Sequence, residues 1–188
     1  MVRHLQCRSD AEGNFYEAIE TIYDGPRHKE RVLFVLHNWS DDADQYRPPQ
    51  VEYYRGNRGH ERLVGLGVVK PSAWSNYKGV TPNSVDKIND GDLIERRNYE
   101  GEKGKERLVS VESGWVGEAL LGHRVRHYVG DQGQERLIRV VGATCTEHYR
   151  GEAGEELLYK TVHTNGVVTM HGDDGAAGAK AATGRSTK

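Results

Sequence analysis

Nine histidines have the widest chemical reach at neutral pH, because imidazole changes charge near it. His127 and His148 each stand one residue before a tyrosine of the same local pattern, so their recurrence marks surface strand positions in a repeat. Acid–base work at pH 7 needs an oriented partner beside the imidazole, and the sequence offers neither histidine one. His163 and His171 could join Asp173 and Asp174 at a metal, yet their spacing matches no established ligand motif, and a polar terminal turn is the simpler reading. The Gly-x-x-Gly pairs invite a phosphate cradle, which requires a helix after the loop; strands follow here. The Glu-Arg pairs, repeated in four copies, read as structural ladders or a solvated face rather than acid–base machinery. No catalytic residue, cofactor-binding residue or metal ligand is therefore assigned, and the chain is expected to be non-enzymatic and free of cofactors. A rival, a small enzyme or ligand-binding protein, would build its pocket from His37, Trp39, Asp41, Asp42 and Trp74, in the insertions around residues 37–42 and 71–77.

A repeat must position all of these residues. Tyr54-Arg-Gly-Asn-Arg-Gly-His-Glu-Arg-Leu-Val returns as Tyr99-Glu-Gly-Glu-Lys-Gly-Lys-Glu-Arg-Leu-Val and as Tyr128-Val-Gly-Asp-Gln-Gly-Gln-Glu-Arg-Leu-Ile. A further copy at Tyr149 puts Leu157 in place of the arginine, and an earlier one at Tyr23 has His28 for the second glycine. These tyrosines lie 31, 45, 29 and 21 residues apart. A degenerate copy at Tyr77-Lys78-Gly79 splits the gap of 45 into 23 and 22, and another at Met170 follows 21 residues after Tyr149. The unit is thus 21–23 residues, with insertions near 38–49 and 113–121.

Each unit reads as a β-hairpin. Arg124-Val-Arg-His-Tyr128 alternates with the period of a half-buried strand, and Leu137-Ile-Arg-Val-Val141 supplies the returning one. Gly130 and Gly133 bracket the turn, where positive φ or close chain approach would penalise a Cβ. Helical signals over Asn14 to Thr21 and Gly117 to Leu121 are weak, and each segment is read as strand, turn or short helix. The fold expected is all-β, an elongated antiparallel sheet of stacked hairpins over residues 1–175, followed by a flexible Ala/Gly/Lys tail over 176–188. Equivalent residues would then align into a tyrosine row and rows of Glu and Arg. The atypical first and last copies suit the capping of a linear array.

Composition agrees. Of 188 residues, 36% are hydrophobic and 29% charged, too lean for a thick two-layer core throughout. Glycine at 23 residues implies many turns. The formal charge of −2, with acids and bases interspersed, lacks the basic excess of a sequence-independent nucleic-acid binder, so no nucleic acid is expected. Cys7 and Cys145 read as free thiols of a reducing compartment. No apolar run approaches membrane length and no leader is visible, so an intracellular, cytoplasmic protein is expected.

The Tyr-x-Gly turns at this period, with Asp-Gly or Asn-Gly between units, resemble MORN repeats. The closer likeness is to the MORN-like Tyr-Glu-Gly-x-x-Gly-x-Glu-Arg repeats of protist and algal proteins, over roughly residues 16–175. The chain departs from the standard pattern in carrying a Glu-Arg-Leu segment. The resemblance implies a scaffold that presents a binding surface, sometimes at membranes or the cytoskeleton. A protein partner is therefore expected, with the oligomeric state left open and membrane-surface contact dependent on the tail. A repeat frame varies its loops while keeping its strands, and all three tryptophans lie outside the pattern. Trp39, Tyr46, Arg47, Trp74 and Trp115 are the candidate protein-binding residues, since Trp, Tyr and Arg dominate interaction hot spots.

Overall fold

The computed structural model describes residues 2–13, 15–39, 48–70, 92–114 and 122–172, with Phe15, Tyr16, Asn38 and Trp39 described by backbone alone. The chain is all-β, and two compact units divide it, Met1–Glu106 and Arg107–Lys188.

The first unit contains β1 (Val2–Ser9), β2 (Phe15–Asp24), β3 (Arg31–Trp39), β4 (Gln50–Arg55), β5 (Arg62–Val69) and β6 (Leu93–Glu100). Each pairs antiparallel with the next in chain order. The segment from Asn14 with its weak helical signal lies largely in β2, where Ile19 and Ile22 are buried and tertiary pairing overrides local propensity. The second unit contains β7 (Arg107–Ser113), β8 (Arg124–Val129), β9 (Arg136–Gly142), β10 (Cys145–Arg150), β11 (Leu157–His163) and β12 (Val168–Met170). These too pair antiparallel in chain order.

The repeat glycines divide the labour of the turn between them. The first of each pair sits at φ +115° to +128° (Gly25, Gly56, Gly101, Gly130, Gly151), with the carbonyl four residues on pressed against it. A Cβ at Gly56, Gly101 or Gly130 would lie 2.4–2.5 Å from that oxygen. The second glycine (Gly59, Gly104, Gly133, Gly154) has φ of +77° to +84° and open space where its Cβ would be. It is the third residue of a hydrogen-bonded β-turn, as in His60 N–H to Asn57 O at 2.8 Å and Gln134 N–H to Asp131 O at 3.0 Å. A positive φ there follows the sign pattern of a type II turn. In the Tyr23 copy, His28 fills this second place at φ +65°, so the glycine lost is the one with room for a side chain.

Beyond four of the turns the returning strand carries a β-bulge. Ile22 faces Phe34 and Tyr23 faces Val32, which leaves Leu33 unpaired; Val64, Ile138 and Tyr159 occupy the same place in their hairpins. All four stand ten positions after the repeat tyrosine. A bulge re-aims the following side chains and sharpens the local twist.

The core of the first unit is a single cluster, Ile22, Leu36, Val51, Val69 and Leu93, with Phe34 and Tyr53 packed against it. Each such fully buried side chain contributes about 1.5–3 kcal/mol. Gly67 makes the cluster fit, since a Cβ there would meet Leu93 Cδ2 at 2.9 Å and Val51 Cγ1 at 3.1 Å. The second unit is thinner: among the described residues only Val111, Val140 and Thr161 are buried in it.

Candidate functional site

The repeat Glu and Arg side chains bind backbone groups of neighbouring turns. Arg31, Arg62, Arg107 and Arg136 each donate from Nη1 to the carbonyl of the first glycine in the next turn: Gly56, Gly101, Gly130 and Gly151, at 2.6–3.4 Å. In return, Glu61, Glu106, Glu135 and Glu156 accept through Oε1 from the N–H just after those arginines: Val32, Leu63, Leu108 and Leu137, at 2.9–3.3 Å. The second carboxylate oxygen of Glu106, Glu135 and Glu156 accepts from the second glycine of its own turn at 2.8–3.0 Å. Each Glu–Arg set is thus a reciprocal clip between successive turns, two in each unit. The Leu108 N–H foremost holds the Glu135 carboxyl below the usual range, and the Leu137 N–H does the same for Glu156. At Glu61 burial pulls upward, yet backbone N–H groups still keep it low. Leu157 replaces the arginine in the last copy, after which no further turn of this pattern follows among the described residues.

The clips hold open a groove of about 740 Å³ on the first unit, at the turn end of β3, β4, β5 and β6. Its floor is aromatic: Phe34 and Tyr53 meet edge to face, with centroids 5.6 Å apart at 83°. Gly65 stands opposite Tyr53 in register, and a Cβ there would contact the ring at 3.4 Å, so the missing side chain leaves the ring room. The Arg96 guanidinium lies over the Tyr53 ring, 6.0 Å from its centroid. Arg31, Arg55 and Arg62 complete the cationic lining, against the single carboxylate of Glu100. Arg31 and Arg62 spend their hydrogen bonds on the carbonyls of Gly56 and Gly101, with Asp24 standing off at 3.8 Å from Arg31. Asp24 pairs with Arg31 at that distance, whereas the carbonyl partner of Arg62 brings no counter-charge.

Alternation along β3 puts His37 on the face opposite Leu36. A polar relay crosses four strands there. Arg8 Nη1 reaches Glu17 Oε2 at 3.1 Å, His37 Nδ1 lies 2.9 Å from Glu17 Oε1, and His37 Nε2 lies 3.5 Å from Glu52 Oε1. Tyr54 OH donates to Glu52 Oε2 at 2.7 Å. Glu17 is buried, and Arg8 and His37 offset the cost of desolvating its charge. The carboxylates of Glu52 and then Glu17 raise the His37 pKa above its ordinary value. Burial pushes the Tyr54 hydroxyl far up, and its bond to Glu52 adds to the shift. Tyr149 repeats the arrangement on Glu147 at 2.9 Å and is raised to about 12, by burial first.

Of the residues singled out in the sequence, His37 is described and sits in this relay. Trp39 ends β3 opposite Glu17 in register, at the far end of the strand from Arg31 and the groove. Asp41, Asp42, Tyr46, Arg47, Trp74, Tyr77 and Trp115 lie outside the described residues, as do Asp173, Asp174 and the tail. Lys70 N–H donates to Asp92 O at 2.8 Å and β5 pairs directly with β6, while residues 71–91 lie outside the described residues. His171 Nε2 lies 2.9 Å from Thr161 Oγ1. Among the described residues no cluster of three His, Cys, Asp or Glu side chains is placed to hold a metal, and no helix is long and apolar enough to cross a membrane.

The groove residues went unremarked in the sequence because they come from four strands spread over 70 positions (Arg31 to Glu100). The one signal was the repeat arginine itself, read as part of a ladder. Comparison with known proteins yields no match to a family model, a curated protein or a solved structure.

Proposed function

We propose that this chain is a non-enzymatic, MORN-like repeat scaffold that binds a partner protein, serving as a structural subunit of a larger assembly. The observation that carries the reading is the groove: a concave surface on a clipped β frame, lined by arginine and tyrosine, the side chains that concentrate binding energy in protein interfaces. A frame of this kind is preorganised, so its rotamers cost little to hold on binding. The rival reading, a ligand pocket at the insertions, has His37 as its described member, and that imidazole already lies between two carboxylates.

Affinity purification from native extract with the full chain as bait tests the proposal. Two variants accompany it: Arg55→Glu in the groove, and a joint Trp39→Ala, Trp74→Ala and Trp115→Ala variant in the insertions, each checked for folding by circular dichroism. A stoichiometric partner lost from either variant upholds the scaffold reading and locates its surface. Recovery of background alone from the folded wild-type chain overturns it.

A further inference from the structure

We infer that the groove of the first unit takes an extended, Asp/Glu-rich segment of a partner polypeptide, an inference that rests on the partner-binding reading and names the chemistry of its site. Four arginines, Arg31, Arg55, Arg62 and Arg96, line the groove with one carboxylate, Glu100, while Asp24 pairs with Arg31 at 3.8 Å, so the cations still outnumber the acids. This local excess stands out on a chain whose formal charge is −2. Carboxylates are the natural counterpart, since a guanidinium donates to them through a planar fork and gains strength where water is thinned.

Two features favour a polypeptide over a phosphate polymer. The floor is aromatic, with Phe34 and Tyr53 edge to face beneath Arg96, so the site suits side chains that alternate acid with apolar or aromatic groups. Glu100 in the lining repels a uniformly charged strand but is tolerated by a segment with gaps between its acids. Gly65 supplies the depth, for it lines the groove with no side chain where a Cβ would already touch the Tyr53 ring at 3.4 Å.

The test is fluorescence polarisation of a short labelled peptide alternating Glu and Tyr, titrated with the full chain. Companion probes are the same peptide with Lys for Glu, free glutarate, and a single-stranded oligonucleotide of equal charge. The Glu peptide is expected to bind, the Lys peptide not, and the affinity to fall with added salt. Arg55→Glu is expected to weaken binding roughly tenfold or more, equivalent to about 1.4 kcal/mol. Gly65→Leu, which fills that depth, is expected to abolish it, and Arg139→Glu, exposed on the second unit, to leave it unchanged. Should Gly65→Leu fail to fold, Arg55→Glu against Arg139→Glu decides alone. No binding of the Glu peptide, equal loss in Arg55→Glu and Arg139→Glu, displacement by glutarate at matched carboxylate concentration, or tighter groove-dependent binding of the oligonucleotide overturns the assignment. In those cases a partner captured from extract and lost in Arg55→Glu still upholds the scaffold reading.

Discussion

Alanine at Gly130 and at Gly133 should have sharply different costs, although the two glycines stand three residues apart in one turn. At Gly133 the φ of +77° lies in the left-handed region and a Cβ would meet nothing within 4 Å. Alanine there costs about 1–2 kcal/mol of backbone strain. Restricting the unfolded chain returns about 0.4–1 kcal/mol, so the net loss is about 1 kcal/mol. At Gly130 the φ is +125° and a Cβ would lie 2.5 Å from Gln134 O. Relief means parting Gly130 from Gln134, which draws Gly130 O away from Arg107 and the Glu135 carboxylate away from Leu108. Hydrogen bonds to charged groups contribute about 1.5–3 kcal/mol each, so with both loosened the loss is at least about 3 kcal/mol. Repeat arrays open locally rather than all at once, so the assay is native-state amide exchange read residue by residue. Gly130→Ala should strip protection from Leu108 and Gly133, while Gly133→Ala leaves Leu108 nearly as protected as in the wild type. Equal losses, or a larger one at Gly133, would refute the division of labour drawn between the two glycines.

Four further outcomes are expected. Glu135→Gln keeps an acceptor for Leu108 but turns an N–H toward the N–H of Gly133, so exchange at Gly133 should accelerate by an amount equivalent to about 1–2 kcal/mol; unchanged exchange would remove the clip from the account. The clip carboxylates Glu61, Glu135 and Glu156 are held below their ordinary value of 4.5, so their contribution is complete above that pH and drains away as pH falls below it. A denaturation series across that range, compared with Glu135→Gln, should show the variant less sensitive to acid. His37 is raised above 6.5, so its stabilisation is complete below that pH and is lost as pH climbs through the raised value; the melting-temperature gap between wild type and His37→Gln should close on the alkaline side, and a constant gap would count against the relay. Gly67→Ala should destabilise the first unit far more than Gly65→Ala, because its Cβ meets Leu93 at 2.9 Å whereas that of Gly65 meets Tyr53 at an ordinary 3.4 Å.

The hairpins were legible because Tyr-x-Gly-x-x-Gly repeats at fixed offsets and turn chemistry is local. Even so, the sequence offered positive φ or close approach for the glycines without saying which glycine meets which demand. The Glu-Arg pairs were legible as a ladder but not as clips. Their partners are main-chain atoms 15–43 residues away, and that registry exists only once neighbouring strands have paired. The bulges at Leu33, Val64, Ile138 and Tyr159 escaped the period-2 reading because a bulge is where that period breaks. The tryptophans drew attention by falling outside the repeat, whereas the groove is built from its most regular members, Arg31 and Arg62, together with Tyr53 and Arg96 beside them.

Because each clip joins one turn only to the next, a segment one period long carries both halves of its junctions: a glutamate for the turn behind and an arginine for the turn ahead. Tandem duplication within the gene could therefore lengthen the protein without any compensating substitution, since each new junction would be assembled from atoms already suited to it. Loss of a fraction of a period would instead strand a carboxylate or a guanidinium with no counterpart. Copy number is thus the quantity such a repeat can vary most freely, whereas a change of spacing inside a copy breaks a clip.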